Sequence, residues 1–168
     1  RMLAYSSIAH AGYILVGIVA GPGSDVYVAD AYNYRIQDFT RTGQFLRKWG
    51  SRGTGDGMFT AVGSLDVDGA GNVFAADYFT GRIEVFAPDG AFLRSWTLPS
   101  PSAPASIAVD RVNQLVYATS NFNVFKFALD GTLLSTWNAG TADLHPLSIA
   151  IGPSGNIYIA SQKDGFVR

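Results

Sequence analysis

Residues Val26–Phe39 read VYVADAYNYRIQDF, and residues Val73–Phe86 read VFAADYFTGRIEVF. The second stretch begins 47 residues after the first. Each opens with a run of β-branched, aromatic and small apolar residues that ends in an aspartate, Asp30 or Asp77. A short turn follows, and a second run then opens with an arginine, Arg35 or Arg82, five residues beyond the acid. Runs of this length and composition on either side of a turn are β-hairpins. A hairpin restated at that period is the mark of a repeat architecture.

The self-similarity extends in both directions. TGQFLRKWG (42–50) returns as DGAFLRSWT (89–97) and again as DGTLLSTWN (130–138), so Trp49, Trp96 and Trp137 stand 47 and 41 residues apart. A further series is SLDVDGAGNVFAAD (64–77), SIAVDRVNQLVYATS (106–120) and SIAIGPSGNIYIAS (148–161). Each unit therefore contains four short strands. In the second unit they are about Ser64–Asp68, Val73–Asp77, Arg82–Phe86 and Phe92–Trp96, with GAGN and APDG as turns and LPSPSAPA leading to the next unit. From Val26 onward no segment sustains a helical period. Four strands in each 40-odd residues is the pattern of a propeller blade. The expected fold is all-β: a partial β-propeller of about 3.5 four-stranded blades in an open arc, with blades near 16–50, 51–98, 99–138 and 139–168.

Composition agrees with a folded domain. The chain has 168 residues, 48% of them hydrophobic and 15% charged, which argues against disorder. A net charge of −1 argues against a surface built mainly for polyanions. With no cysteine there is no disulfide, no thiolate chemistry and no Cys-ligated zinc.

The two hairpins with their outer strands, DVYVADAYNYRIQDFTRTGQFLRKWG and NVFAADYFTGRIEVFAPDGAFLRSW, closely resemble the NHL repeat, and GSRGTGDGMF (50–59) resembles the Gly-rich loop between blades of that family. The resemblance covers about residues 16–168 and implies a binding or interaction propeller, six-bladed in type. The third and fourth units depart from it: Ser120 and Ser161 replace the aspartate, and the arginine is missing. Acid and guanidinium are thus present together or absent together. That covariation leads us to expect Asp30–Arg35 and Asp77–Arg82 to be structural pairs across their hairpins, because either charge alone beside a packed blade would be uncompensated.

The first residues differ in kind. RMLAYSSIAHAGYILVGIVAG (1–21) is apolar enough and about long enough to cross a bilayer. It resembles a transmembrane helix of the antiporter-like subunits (subunit N type) of bacterial NADH–quinone oxidoreductase, a resemblance that would put His10 on a proton path. A competing reading aligns GIVAGPGSDVYVAD (17–30) with the later units, so that Ile18 to Val26 matches Leu65 to Val73 and Ile149 to Ile157. It makes residues 16–21 the first strand of the first blade and residues 1–15 an apolar, helical leader. The compartment is not fixed by the sequence; an extracytoplasmic or membrane-associated location is favoured. Arg1 in place of an initiator leads us to expect a piece of a longer chain with further blades.

The search for chemistry returns little. His10 and His145 are the only histidines. His145 lies in the loop entering the fourth unit, where some lyases related to the family carry a metal-bound histidine, but a zinc site needs three or four ligands. DVDGAGN (66–72) lacks the later bidentate glutamate of a calcium loop and is expected to be a plain turn. The glycines of 50–59 lead to no Gly-Lys-Ser/Thr ending and no helix, so they cradle no phosphate. Arg41, Arg47, Lys48 and Arg52, beside Phe45 and Trp49, form the one basic cluster and are a candidate partner surface; nucleic acid is disfavoured because later units replace these residues. The expected function is a non-catalytic scaffold that holds a protein or small ligand at a propeller face, with no cofactor and no metal. His145, Arg47, Lys48 and Arg52 are the ligand candidates. The alternatives are a propeller enzyme, a lyase or hydrolase with its site at the channel mouth, and, from residues 1–21 alone, a fragment of a membrane proton-translocating subunit.

Overall fold

The computed structural model describes residues 9–10, 13–20, 25–99, 103–120, 122–139, 145–163 and 166–167, with side chains described for 25–99, 103–120, 122–139 and 147–161. They form four antiparallel sheets in chain order. The first holds β1 (Ala9–His10), β2 (Tyr13–Ala20), β3 (Val26–Asp30), β4 (Arg35–Phe39) and β5 (Phe45–Trp49). The second holds β6 (Val62–Val67), β7 (Val73–Asp77), β8 (Arg82–Phe86) and β9 (Phe92–Thr97). The third holds β10 (Ser106–Asp110), β11 (Leu115–Ser120), β12 (Asn123–Ala128) and β13 (Leu133–Asn138). The fourth holds β14 (His145–Ile151), β15 (Ile157–Lys163) and β16 (Phe166–Val167). In every sheet each strand pairs with the next one in sequence, which is the meander of a propeller blade. The molecule is a partial β-propeller, an arc of four blades.

The N-terminal segment corrects one expectation. Tyr13–Ala20 is a strand, paired with β3 from Leu15↔Asp30 to Ala20↔Val26. Its Ile and Val residues suit a pleated surface better than a helix. A spanning helix through residues 13–20 is therefore absent, and the strand begins three residues earlier than the expected Val16. Among the described residues no helix is long and apolar enough to cross a membrane. Of the expected helical leader, residues 9–10 and 13–15 are strand, and residues 1–8, 11 and 12 lie outside the described residues, as does the side chain of His10.

Three cores lie between successive sheets. Tyr27, Ile36, Phe59, Val67 and Val73 bury the first sheet against the second. Phe74, Ile83, Ile107, Val109 and Phe127 bury the second against the third. Tyr117, Val124, Ile149, Ile151 and Ile159 do so for the third and fourth. A middle strand such as β7 is buried at every position, since alternate residues enter the cores on its two sides.

Aromatic rings tie each sheet to the next. An aromatic on the second strand meets the outer-strand tryptophan of its own sheet edge-on: Tyr27–Trp49 at 6.0 Å, Phe74–Trp96 at 6.3 Å and Tyr117–Trp137 at 6.2 Å between centroids. The tryptophan then reaches the phenylalanine that closes the third strand of the following sheet, Trp49–Phe86 at 6.0 Å and Trp96–Phe127 at 5.7 Å. Polar contacts repeat at the inner strands. Ile107 N–H donates to Ser64 Oγ at 3.2 Å, Val109 N–H to Asp66 Oδ2 at 2.7 Å, and Ile149 N–H to Ser106 Oγ at 3.4 Å.

Candidate functional site at the turn end of the arc

Up-and-down pairing puts the turn between second and third strands at the same end as the connection from an outer strand to the next inner strand. All the acid–arginine motifs lie at this end. In the first sheet, Asp30 and Arg35 face each other in register, and Arg35 Nε donates to Asp30 Oδ2 at 2.8 Å. Asn33 Nδ2 at 2.8 Å and Gln37 Nε2 at 3.2 Å donate to the same carboxylate. The pair braces its own hairpin.

The second sheet corrects the expectation for Asp77 and Arg82. They also face each other in register, yet their side chains part. Asp77, fully buried, accepts from Thr60 N–H at 2.9 Å, Thr60 Oγ1–H at 2.6 Å and Ala61 N–H at 2.9 Å. Arg82 donates to the Thr54 carbonyl, to the Gly55 carbonyl at 3.3 Å and to Asp56 Oδ1 at 3.3 Å. The physical reason is the Gly50–Phe59 loop, which folds over the start of β8 and offers carbonyls to the guanidinium. The strand entry at residues 60–61 offers N–H groups to the carboxylate. Both charges hold the connection between sheets instead of each other.

Glu84 completes this clamp. It is fully buried, and its Oε2 accepts Gly57 N–H at 2.8 Å, while Oε1 lies 3.5 Å from Arg82 Nη2. Burial pushes its carboxyl up to about 7, against the pull of the Gly57 amide and Arg82, while Asp77 and Asp56 raise it further. A near-neutral carboxyl is the usual stock of acid–base catalysis, but this one is sealed beneath the loop. The loop closes on itself through Phe59 N–H to the Ser51 carbonyl at 2.8 Å and Gly53 N–H to the Phe59 carbonyl at 3.1 Å. Gly50 is required there: its φ is +99°, and a Cβ would sit 2.8 Å from both the Phe59 ring and the Tyr34 carbonyl.

Above these clamps stand aromatic side chains that the sequence reading did not single out. Tyr32 is 59% exposed, Tyr78 45% and Phe79 74%, all on turns between second and third strands. Tyr78 and Phe79 meet edge-on at 5.2 Å. The available signal was positional: apolar rings at turn positions, where hairpins ordinarily carry Gly, Asn or Asp.

The basic cluster does not converge. Arg47 Nε lies 3.2 Å from buried Asp38, and its Nη1 donates to the Pro88 carbonyl at 3.3 Å, so it latches the first sheet to the second. Arg94, one unit later, does the same to the Leu129 carbonyl. Arg52 stacks over the Tyr34 ring at 5.5 Å at the turn end, while Arg41 and Lys48 are exposed on the outer hairpin. His145 opens β14 at the turn end, and its side chain lies outside the described residues. Asp68 caps its turn by accepting from Ala70 and Asn72 N–H, both at 2.9 Å. Among the described residues no three His, Asp or Glu side chains are grouped so as to hold a metal ion.

No protein-family model and no curated protein matches the chain. Its likeness to solved structures is in the fold. The WD40 repeats of RRP9 align with a TM-score of 0.77 at 18% identity, over 96% of this chain and 49% of that one. A virginiamycin B lyase from Staphylococcus aureus aligns with a TM-score of 0.70 at 16% identity, over 90% and 53%. The hydrazine synthase of Kuenenia stuttgartiensis aligns with a TM-score of 0.74 at 12% identity, over 90% and 43%. The chain spans about half the length of the propellers it resembles.

Proposed function

We propose that the chain is a non-catalytic binding scaffold of the NHL-repeat type that holds a protein partner at its turn end. The observation that carries this reading is the exposure of Tyr32, Tyr78 and Phe79 on turns whose roots are fixed by buried acids. Large apolar rings held rigidly in water are a cost to a protein unless something covers them, and aromatic anchors on a preorganised base are what protein interfaces use. The acids and arginines at this end are engaged in holding the Gly50–Phe59 loop and the hairpins, which leaves the rings as the part that meets a partner.

The test is selection from a phage-displayed peptide library against the immobilised chain. Selected peptides should lose at least tenfold in affinity to a Tyr78→Ser/Phe79→Ser variant and keep it for Leu134→Ser on the outer edge. Peptides indifferent to the turn rings would overturn the proposal. A second reading, a lyase or hydrolase with its site at the channel mouth, draws on the position of His145 at the turn end. It requires turnover, for example of a streptogramin B antibiotic, that His145→Ala abolishes.

A further inference from the structure

The interlock between sheets has a receiving half, and in the first sheet no described residue fills it. In the second sheet the receiver consists of Phe86, at the end of β8, and Gly90, in the turn that follows. In the third it is Phe127 and Gly131. All three phenylalanines at this position, Phe39 included, follow a register shift in their strand, so the equivalence is one of backbone as well as sequence. Gly90 and Gly131 have φ of +89° and +94°, and a Cβ on either would come within 2.9 Å or 2.7 Å of the indole of Trp49 or Trp96. Glycine is thus required there twice over, for its backbone and for the indole that lies on it. Gly43 has the same left-handed backbone, with φ of +83°, but no described residue lies within 4 Å of where its Cβ would be. Phe39 and Phe45 pack edge-on at 5.7 Å, as Phe86 and Phe92 do at 5.9 Å. Phe45 is half exposed, whereas Phe92 packs against the core between the first two sheets.

The opposite end of the arc is unmatched in the complementary way. Tyr27, Phe74 and Tyr117 occupy one position of the second strand and are 2%, 0% and 6% exposed. Tyr158, at that position in the fourth sheet, is 60% exposed. The arc therefore has a socket at its head and a bare ring at its tail.

We propose that the outer half of the first sheet, Phe39, Gly43 and Phe45, is a docking socket for an indole. That indole belongs to the outer-strand tryptophan of a further complete blade of this repeat in the same polypeptide. Two filled examples of the socket define what fits it. The solved propellers that this arc resembles are about twice its length, which leaves room for such a blade. A second copy of residues 1–168 does not meet the need, because among the described residues the sheet at its tail has three strands and no outer-strand tryptophan, and Trp137 sits one blade too early.

The test supplies the blade. A copy of residues 51–98 is joined by a flexible linker ahead of Arg1 in the full chain. Docking should raise the melting temperature by about 5 °C, shift the added indole's emission to the blue and produce nuclear Overhauser contacts between that indole and Gly43. All three should vanish when the tryptophan of the added copy is replaced by alanine. A gain that survives this replacement, or an added indole that stays in water, would overturn the proposal. A fusion that fails to fold does not end the test, because the unfused chain can be titrated with N-acetyl-tryptophanamide. Its amide resonances at Gly43 and Phe39 should move in the parent and not in Gly43→Val, and resonances that stay still up to the probe's solubility would count against the socket. Dimerisation of the unfused chain that both Trp137→Ala and Gly43→Val abolish would overturn it in favour of a second copy.

Discussion

Asp30 and Asp77 are alike in sequence and differ in work, and substitution should separate them. Arg35→Ala removes one of three donors from Asp30 and leaves Asn33 and Gln37 in place, with Arg35 itself partly exposed. The expected loss is about 1 kcal/mol in urea unfolding. Asp77→Ala leaves two backbone N–H groups and the Thr60 hydroxyl without their acceptor and should cost about 3 kcal/mol or more. Equal losses would contradict the assignment of Asp77 to the inter-sheet connection. Glu84 gives a pH signature. Its carboxyl titrates near 7 in the folded chain, above the unfolded value, so the folded state holds the extra proton between the two. The associated stability is fully present below pH 4.5 and is lost as pH rises through 7. The parent should weaken by roughly 2 kcal/mol between pH 5 and pH 8 relative to Glu84→Gln, which keeps an acceptor for Gly57 and cannot titrate. Parallel pH profiles for the two proteins would rule this out. These distinctions were only half legible in the sequence. The spacing of acid and arginine correctly placed each pair opposite one another across its hairpin. It carried no information about the connection from the first sheet, whose Gly50–Phe59 loop takes Arg82 and whose residues 60–61 take Asp77. Tyr32, Tyr78 and Phe79 lay between strand ends that the sequence placed, but composition alone does not tell a turn aromatic that stays in water from one that folds back onto the core.

At the scale of elements, strands were the most legible feature because they carry period-two patterning between turn residues. Val73–Asp77 and Arg82–Phe86 occur in the structure with the bounds read from the sequence. The inner strand β6 starts two residues earlier than its pattern suggested, since Val62 pairs across to Asp77 on the far side of a register shift. The tryptophan repeat was visible as a period, but its purpose was not, because the indoles of Trp49 and Trp96 each serve two sheets. That double service makes a prediction. Trp49→Ala and Trp96→Ala each empty a contact on two sides and should destabilise by about 3–5 kcal/mol. Trp137 touches Tyr117 in its own sheet and is 36% exposed, so Trp137→Ala should cost less than about 2 kcal/mol. Thermal melts of the three variants rank the contacts directly.

At the scale of the whole molecule, the arc ends in faces that are covered in every interior sheet. Tyr158 and Leu147 on the fourth sheet are exposed, and Leu133 and Leu134 line the neighbouring outer strand. Residues 1–168 alone should associate with rising concentration, and Tyr158→Ser with Leu147→Ser should reduce that association in sedimentation velocity. A parent chain that stays monomeric at high concentration would mean that these faces are not adhesive. The junctions themselves carry one more implication. Both complete interlocks use the same parts, an indole from one sheet and a phenylalanine with a left-handed glycine from the next, like tongue and groove in identical planks. Nothing in such a joint records its place in the series. How many planks complete the circle is then decided by the wedge angle between neighbours and by the fit of the last to the first. A whole unit can be gained or lost by duplication or deletion while every surviving joint keeps its partner, so the chemistry that binds the blades together leaves their number free to vary.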